Sequence, residues 1–401
     1  PSRIGAYDNA ADFPADVPTY AHYLRRLGYR TALSGKMHFC GPDQLHGYEE
    51  RLTSDIYPAD YGWAVNWDEP DVRPSWYHNM SSVLQAGPCV RTNQLDFDEE
   101  VVFKARQYLY DHVRENDGRP FCLTVSMTHP HDPYTIAKRY WDRYEGVDIP
   151  MPRAEFGQAE LDPHSQRLLK VYDLWNKPLP VDKIRDARRA YFGACSYIDD
   201  NIGQLLQTLE ECNLADDTLI VFSGDHGDML GDHGLLEKRA FYDGSARVPL
   251  LMRVPWLSQG QTRIPGSVGQ IDLVPTLLDL VGESIPDHLQ GESKASVLRG
   301  EKTLENNDVF VQWNGKGDRD LGTPTINEMI ALPRRTIVSS DRWKLNLCDG
   351  DDGELFDLTT DPHELTNLFG EPAQLERIQS MATRLRAWQE KTGDTARLPA
   401  V

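Results

Sequence analysis

A carboxylate and an imidazole stand side by side at the end of the apolar run DTLIVFSGDHG. These are Asp225 and His226, and Lys238 comes twelve residues after the histidine. Adjacent side chains at a strand end can reach one cation, and oxygen ligands with one nitrogen suit calcium, magnesium or manganese better than zinc. Lys238 could add a fixed positive charge beside them. The alternative is an ordinary solvated loop, because Asp, His and Gly are common in turns.

Two further stretches place basic side chains two residues apart. Lys36 and His38 occur in GKMHFCGPDQLHG, and His129 and His131 occur in THPHDPY. In an extended segment, residues two apart point to one face, so Lys36 and His38 could aim an ammonium and an imidazole at one anion. The prolines of THPHDPY stiffen that loop, as a well-placed general acid requires. Taken alone, a Lys-x-His sequence is seldom catalytic.

Short apolar runs and long helical patterns must position these loops. Residues 121–127, 217–227 and 246–255 are mostly apolar and predict buried strands. Apolar residues recur at helical spacing over 184–209, and over a shorter stretch at 98–113. Such alternation predicts an α/β fold whose sheet is covered on both faces, and ligands of such sheets bind beyond the carboxyl ends of the strands. The loops that follow the first two strands are therefore expected to meet.

The pattern changes after about residue 300. Two alternating runs flank an Asp-Gly-Asp-Asp-Gly turn at 349–353, which predicts an antiparallel hairpin. The stretch 373–391 predicts a closing amphipathic helix. We therefore predict a catalytic α/β domain over residues 1–304 and a small α+β subdomain over residues 305–401.

Composition restricts the partners and the compartment. The 401 residues include 42 basic and 62 acidic ones, and the net charge of −20 disfavours nucleic acid, which needs a basic face. No run approaches the roughly 20 apolar residues of a membrane span, so we expect no membrane partner. The six cysteines are scattered, as in proteins of a reducing compartment. We predict a cytoplasmic protein, and a periplasmic location stays open because any leader would lie upstream of Pro1.

The motifs GK-x-H, PH-x-P and S-x-DHG…K together resemble those of the formylglycine-dependent sulfatases of the alkaline phosphatase superfamily. They stand in that family's order and approximate spacing. The stretches VDKIRDARRAYFGACSYIDDNIGQLL, ARVPLL, DLVPTLLDLVG and ELFDLTTDPHELTNL extend the resemblance over nearly the whole chain. Residues 35–63 and 73–100 are similar to choline sulfatases in particular. The resemblance implies an alkaline-phosphatase-like α/β/α sandwich around a mostly parallel sheet, with a small C-terminal α+β subdomain.

The resemblance also implies hydrolysis of a sulfate monoester to an alcohol and inorganic sulfate. One divalent metal ion is implied, with Asp225 and His226 as ligands; calcium is expected, and manganese or magnesium are alternatives. The family's nucleophile is a formylglycine made from the first residue of C-x-P-S-R. Pro1-Ser2-Arg3 match the end of that motif, but the residues after Arg3 match a later segment, R-x-G-x-Y-D-N. We therefore expect the nucleophile and the first strand upstream of Pro1.

The basic side chains take catalytic roles in the same comparison. Lys36 and Lys238 would bind the sulfate group, His131 would protonate the departing alcohol, and His38 would act as a base near the formylglycine. The sequence allows the two histidine assignments to be exchanged.

The stretch 61–78 is rich in aromatic residues, which could form a cage around a choline group. Ring faces attract a quaternary ammonium ion, which cannot donate hydrogen bonds. Trp63 matches a family aromatic at the choline end, and Asn9 and His78 match pocket positions. The alternative is that these aromatics pack a surface loop. Residues 311–322 lack a glutamate that choline sulfatases carry there, and the C-terminal tail is shorter, so another alkyl sulfate or an aryl sulfate stays open as substrate.

Two other functions compete with sulfate ester hydrolysis. A phosphodiesterase or phosphonate monoester hydrolase would use the same scaffold and nucleophile. The protein would be a non-catalytic sulfate- or choline-binding protein if no nucleophile precedes Pro1.

The expected partner is a small sulfated molecule. We also expect a homo-oligomer, either a dimer or a tetramer.

Overall fold

The computed structural model of the protein describes residues 4–5, 12–57, 81–153, 157–171, 174–257, 260–314, 327 and 332–401. The strands are β1 (Arg30–Gly35), β2 (Glu50–Arg51), β3 (Gly87–Cys89), β4 (Phe121–Ser126), β5 (Thr135–Ala137), β6 (Ile220–Ser223), β7 (Leu250–Arg253), β8 (Val309–Trp313), β9 (Arg334–Val338), β10 (Trp343–Cys348) and β11 (Glu354–Asp357). The α-helices are α1 (Tyr20–Arg26), α2 (Ser81–Leu84), α3 (Asn93–Glu115), α4 (Lys138–Trp141), α5 (Pro163–Val171), α6 (Val181–Glu211), α7 (Asp243–Ala246), α8 (Leu273–Leu280), α9 (Ala295–Leu298) and α10 (Leu375–Thr392).

A parallel sheet brings two of the candidate loops together. Its strand order is β2-β1-β4, and β1 pairs with β4 from Arg30 opposite Phe121 to Gly35 opposite Ser126. Because the two carboxyl ends coincide, the following loops start side by side, and the Lys36 N–H donates to the Ser126 carbonyl at 3.0 Å. A Cβ at Gly35 would lie 2.0 Å from that carbonyl oxygen, so only glycine permits this approach.

Two long helices form where the apolar periodicity predicts them, and α3 packs against this sheet. Helix α3 begins after Thr92, whose hydroxyl accepts the Leu95 N–H at 3.2 Å, and it ends at Asn116 in the left-handed conformation. Helix α6 packs a buried face of small and aromatic residues against α3, α4 and β5. These helices, together with the parallel strands, confirm the predicted α/β class.

The predicted burial of two strands was wrong. Strands β6 and β7 form an antiparallel pair. Val221, Leu250 and Leu251 are 36%, 39% and 59% exposed. Among the described residues, β6 pairs only with β7, and β4 pairs only with β1. Within the described residues, the apolar side chains of β6 and β7 are therefore less covered than the apolar runs predicted.

The C-terminal part forms an antiparallel sheet in the order β11-β10-β9-β8. The predicted hairpin is present as β10 and β11, with Trp343 opposite Asp357. Helix α10 packs Ile378, Met381 and Leu385 against this sheet, which accounts for its amphipathic pattern. The boundary between residues 304 and 305 stays a prediction.

Buried ions attach this sheet to the preceding part of the chain. The Lys344 ammonium of β10 donates to the Asp243 carboxylate at 2.5 Å and to the Glu364 carboxylate at 2.7 Å. The Arg334 guanidinium of β9 contacts Asp162 at 3.0 Å and Glu354 at 3.1 Å.

Neither long helix is apolar enough to cross a membrane, and the same holds for every helix within the described ranges.

Candidate active site

The loop after β1 carries Lys36 and His38, and it is not extended as the spacing argument assumed. His38 adopts a left-handed conformation with φ of +61°. The buried Asp55 carboxylate holds this turn, because one of its oxygens accepts the N–H groups of Met37 and His38, both at 2.9 Å. The same oxygen pairs with Arg51 at 2.7 Å.

Both candidate side chains of this loop nevertheless meet one aromatic ring. The Lys36 ammonium lies 5.2 Å from the centroid of the Tyr57 ring. The His38 imidazole stacks on the same ring with 4.8 Å between centroids. Burial, followed by the Asp132 carboxylate, raises the pKa of Tyr57 to about 12, so the phenol stays neutral.

Sequence reasoning missed Tyr57 as a site residue. The only signal for it was its position within residues 35–63, the segment that resembles choline sulfatases.

The loop after β4 presents His131. Its Nδ1 lies 3.0 Å from the Asp132 backbone oxygen and 2.9 Å from an Asp132 carboxylate oxygen, so Nδ1 carries the hydrogen. Its Nε2 contacts the ammonium of Lys238. The imidazole is thus fixed at one nitrogen and directed toward the lysine with the other. The peptide bonds before Pro130 and Pro133 are cis.

The loop after β6 carries the predicted metal ligands. The Asp225 side chain is 76% exposed, and His226 Nε2 lies 3.6 Å from its carboxylate. His226 Nδ1 donates to the Gly227 carbonyl at 2.8 Å, which leaves the Nε2 lone pair available for a cation. Burial, followed by the nearby Lys238, lowers the pKa of His226 and favours the neutral imidazole that metals bind.

Electrostatics also favour the ionised form of Asp225. The surrounding protein excludes part of the water around the Asp225 carboxylate and so opposes ionisation, but the attraction of His226 and Lys36 outweighs this effect, and the pKa of Asp225 lies below its ordinary value. A charged carboxylate beside an imidazole lone pair fits a divalent cation.

A buried turn returns Lys238 to the His131 loop. The Asp228 carboxylate accepts the Tyr134 hydroxyl at 3.0 Å and the N–H groups of Leu230 at 2.9 Å and Glu237 at 3.1 Å. Burial raises the pKa of Asp228 to about 7. Burial also lowers the pKa of Lys238.

The second GDHG sequence of this loop lies apart from the first. The imidazole of His233 stacks on Tyr242 with 3.8 Å between ring centroids, and its Nε2 lies 3.0 Å from the His363 carbonyl. Asp232 accepts the Arg153 N–H at 3.0 Å. Both residues therefore serve packing and backbone contacts away from His131.

Three loops thus converge beyond β1, β4 and β6. The His131 and His226 rings lie 5.8 Å apart. Burial, followed by the positive charge of Lys36, lowers the pKa of His38, and Lys238 and His131 add smaller effects. The structure brings together six of the predicted residues: Lys36, His38, His131, Asp225, His226 and Lys238. The other three, Asn9, Trp63 and His78, lie outside the described residues.

The metal ligand set is incomplete where the structure describes the chain. No group of three or more His, Cys, Asp or Glu side chains is arranged there to hold a metal ion. Calcium takes six to eight oxygen ligands and magnesium or manganese about six. Asp225 and His226 therefore fit part of such a site, and further ligands must come from elsewhere.

Known proteins share this fold and these motifs. A family model described as Sulfatase matches residues 1–283, and one described as N-sulphoglucosamine sulphohydrolase, C-terminal, matches residues 231–391. The choline-sulfatase of Rhizobium meliloti (strain 1021) is 45% identical over 382 residues, which cover 93% of this chain and 71% of that protein.

Some more distant relatives are named for other activities. The multifunctional alkaline phosphatase superfamily protein PehA of Trinickia caryophylli is 28% identical over 323 residues, which cover 75% of this chain and 61% of that protein. The crystal structure of phosphonate monoester hydrolase of Agrobacterium radiobacter superimposes with a TM-score of 0.74 over 98% of this chain and 84% of that one, at 21% identity. At that identity the likeness shows a shared fold.

The family model spans most of the chain, and the 45% identity covers nearly all of it. The chain belongs to the sulfatase family of the alkaline phosphatase superfamily and is an enzyme that hydrolyses sulfate esters.

Proposed function

We propose that this sulfatase hydrolyses choline sulfate or a closely related alkyl sulfate. The observation that carries the reaction is the convergence of Lys36, Lys238 and His131 beside Asp225 and His226. The 45% identity to a choline-sulfatase supports the choline group. Trp63, Asn9 and His78 remain predicted contacts for that group.

The two lysines suit the charge of the substrate. A sulfate monoester is an anion, and further negative charge develops on its oxygens as the ester bond breaks. Fixed ammonium groups in a partly buried site stabilise that charge more than solvent-exposed ones would. We assign Lys36 and Lys238 to the sulfate oxygens.

His131 is the proposed general acid. Asp132 holds the hydrogen on Nδ1, so a proton delivered to the substrate must leave from Nε2. That nitrogen accepts from the Lys238 ammonium, because an ammonium can only donate, and it acts as an acid once Lys238 turns to the sulfate and Nε2 has taken up a proton of its own. A sulfate bound by Lys238 would place its ester oxygen near Nε2, where the alcohol can be protonated as it departs. His38 is assigned as the base, and its pKa, lowered by burial, favours the unprotonated form that this task needs.

The sulfatase family in general depends on a metal ion and on formylglycine. Asp225 and His226 would hold the metal, and calcium is proposed, because a carboxylate ligand suits a hard cation. When bound, such an ion polarises the sulfuryl oxygens. Formylglycine supplies the nucleophile in the family, and we place it upstream of Pro1. A dimer or tetramer and a cytoplasmic location also remain predictions.

Metal content tests the ligand assignment directly. Asp225→Ala should lose most of the bound metal, and turnover should fall by about 100-fold or more, because a charged ligand is removed. The matched control is Asp232→Ala, which changes the second GDHG sequence and should keep its metal. Elemental analysis of both purified variants decides the point. Retained metal in Asp225→Ala would refute the ligand role.

Phosphodiester or phosphonate monoester hydrolysis is the second candidate, because PehA and the phosphonate monoester hydrolase share sequence or fold with this chain. We would measure product release from choline sulfate, 4-nitrophenyl sulfate and a phosphodiester side by side. The highest kcat/KM is expected with choline sulfate. A preference for the aryl sulfate would contradict the choline assignment, and a preference for the diester would favour the second candidate.

A further inference from the structure

Helix α3 directs a fully buried carboxylate at the loop that carries His131. One oxygen of Asp98 accepts the Thr128 N–H at 2.6 Å, and the other accepts the His129 N–H at 3.0 Å. The second oxygen also accepts the Nδ1–H of the His129 imidazole at 2.7 Å. Three donors of the loop therefore converge on one side chain, two residues before His131.

The His129 imidazole faces the protein interior. Its side chain is 1% exposed, and its ring meets the Tyr197 ring of α6 edge-on with 5.0 Å between centroids. Its Nε2 has no hydrogen-bond partner among the described residues. The Asp98–His129 pair is thus held between α3 and α6, and His129 makes no contact with Lys238 or His226 that would place it in the reaction.

The same face of α3 also holds the far side of the loop. Gln94 lies one turn before Asp98, and its amide donates to the Asp132 carbonyl at 2.6 Å. Residues four apart lie on one helix face, so Asp98 and Gln94 fix the segments on either side of His131. Asp132 in turn orients the His131 Nδ1.

We propose that Asp98 and His129 form a positioning pair for His131, and that this pair determines how well the enzyme expels a poor leaving group. The inference rests on the proposed general-acid role of His131. The pair touches neither substrate nor metal. It acts by setting the place of the His131 imidazole, as buried carboxylates do for other catalytic histidines.

The choice of leaving group makes this role measurable. Without a proton, choline would have to leave as a strongly basic alkoxide, so it needs a proton as the ester bond breaks. Nitrophenolate, in contrast, leaves readily as an anion. Misplacing a general acid by about 1 Å costs roughly 100-fold. A fault in the position of His131 should therefore penalise choline sulfate far more than 4-nitrophenyl sulfate.

The test compares kcat/KM for both substrates in the full-length enzyme. In Asp98→Asn the amide oxygen replaces only one of the two carboxylate oxygens, so at least one of the three donors faces an N–H₂ group that cannot accept it. The ratio of kcat/KM between 4-nitrophenyl sulfate and choline sulfate should rise by about 100-fold, with KM little changed. Where Asp98→Asn does not fold, Gln94→Met removes one contact of the same loop and should shift the ratio in the same direction.

A matched control uses the neighbouring loop. Asp55 accepts two successive N–H groups, as Asp98 does, but it holds the segment of Lys36 and His38. Those residues act on the sulfate group and the nucleophile. Asp55→Asn should therefore lower kcat/KM equally for both substrates and leave the ratio unchanged.

His131→Ala distinguishes a failure of the positioning role from a failure of the general-acid role. If it raises the ratio and Asp98→Asn and Gln94→Met do not, the positioning role is overturned and the general-acid role stands. Equal losses on both substrates in Asp98→Asn, accompanied by a lower Tm, would show a purely structural role. If His131→Ala leaves the ratio unchanged, the general-acid role fails, and the inference fails with it.

Discussion

Tyr57 shows how a single ring can organise two catalytic candidates. The Lys36 ammonium lies over its ring, and the His38 imidazole stacks on the same ring. A cation over an aromatic face gains about 0.5–2 kcal/mol, depending on how far it is desolvated. The ring therefore contributes to the position of Lys36 and of His38.

We expect Tyr57→Leu to lower kcat/KM by about 2- to 30-fold, the range that loss of the cation–π contact predicts. The loss should be equal for choline sulfate and 4-nitrophenyl sulfate, because Lys36 acts on the sulfate group that both share. Tyr57→Phe keeps the ring and is the control. An equal loss in Tyr57→Phe would show that the hydroxyl, and not the ring, is what matters.

The residue types of the site could be predicted from the sequence, but their backbone conformations could not. His38, Glu237 and Arg239 all adopt left-handed φ angles of +61°, +61° and +78°. None is a glycine or asparagine, the residues that signal such a turn. Contacts distant in sequence stabilise these conformations, as when Asp55 binds the His38 N–H, and a single sequence gives no sign of them.

Helix α5 links the Lys238 loop to the C-terminal sheet through a buried histidine. His164 Nε2 donates to the Arg239 carbonyl at 2.7 Å, and its ring lies between Phe241 and Trp313, with centroids 5.3 and 5.4 Å away. Burial, followed by the positive charge of Arg334, lowers the pKa of His164 to about 4. Asp162 opposes this shift, and Arg167 adds to it.

A histidine whose pKa is lower in the folded state destabilises the fold as acid is added. The stability that depends on neutral His164 is fully present above pH 6.5, the unfolded pKa, and is lost as the pH falls toward 4. The loss should reach about 3 kcal/mol. We expect His164→Gln, which keeps a donor to Arg239, to lose less stability than the wild type over this range.

Unfolding in denaturant at pH 7, 5.5 and 4 measures the difference. Asp162 and Glu354 also titrate in this cluster, but they are present in both proteins, so the comparison isolates His164. Parallel stability curves for the two proteins would contradict a neutral buried histidine.

Helices and strands with a regular apolar pattern could be predicted from the sequence. Properties that depend on the neighbouring elements, such as burial, were harder to predict. The helical spacing over 184–209 gave α6 (Val181–Glu211) to within a few residues. The apolar run at 246–255 correctly predicted strand β7, but it also predicted a buried strand, and β7 is partly exposed. Apolar composition indicates that a strand can be buried, whereas the ladder and layer that bury it are set by the rest of the chain.

At the scale of the whole molecule, Lys344 joins the C-terminal sheet to the loop that carries Lys238. Its ammonium is enclosed with the carboxylates of Asp243 and Glu364, and it also donates to the Phe241 carbonyl at 3.0 Å. Phe241 lies three residues after Lys238. A strand of the C-terminal sheet thereby supports the loop that carries a sulfate-binding lysine.

Lys344→Met should destabilise the protein by about 3–5 kcal/mol, because it leaves the buried Glu364 carboxylate and the half-buried Asp243 carboxylate without a cation. The control is Lys391→Met, which breaks an exposed pair with Glu292 at 2.8 Å and should cost at most about 1 kcal/mol. Thermal and denaturant unfolding of both variants provides the measurement. Similar small losses in the two would show that the buried ions do not join the sheet to the loop.

The two buried carboxylates that hold the active-site loops have a consequence for the response of the enzyme to ionic strength. Dissolved ions screen exposed charges over about 8 Å in physiological salt, but they cannot enter between packed side chains. Asp55 is 5% exposed and Asp98 is fully enclosed, so mobile ions do not reach either anchor. Surface pairs such as Arg114–Asp111 have no such protection. Concentrated salt should therefore weaken the attraction of an anionic substrate from a distance while the geometry that receives it stays intact.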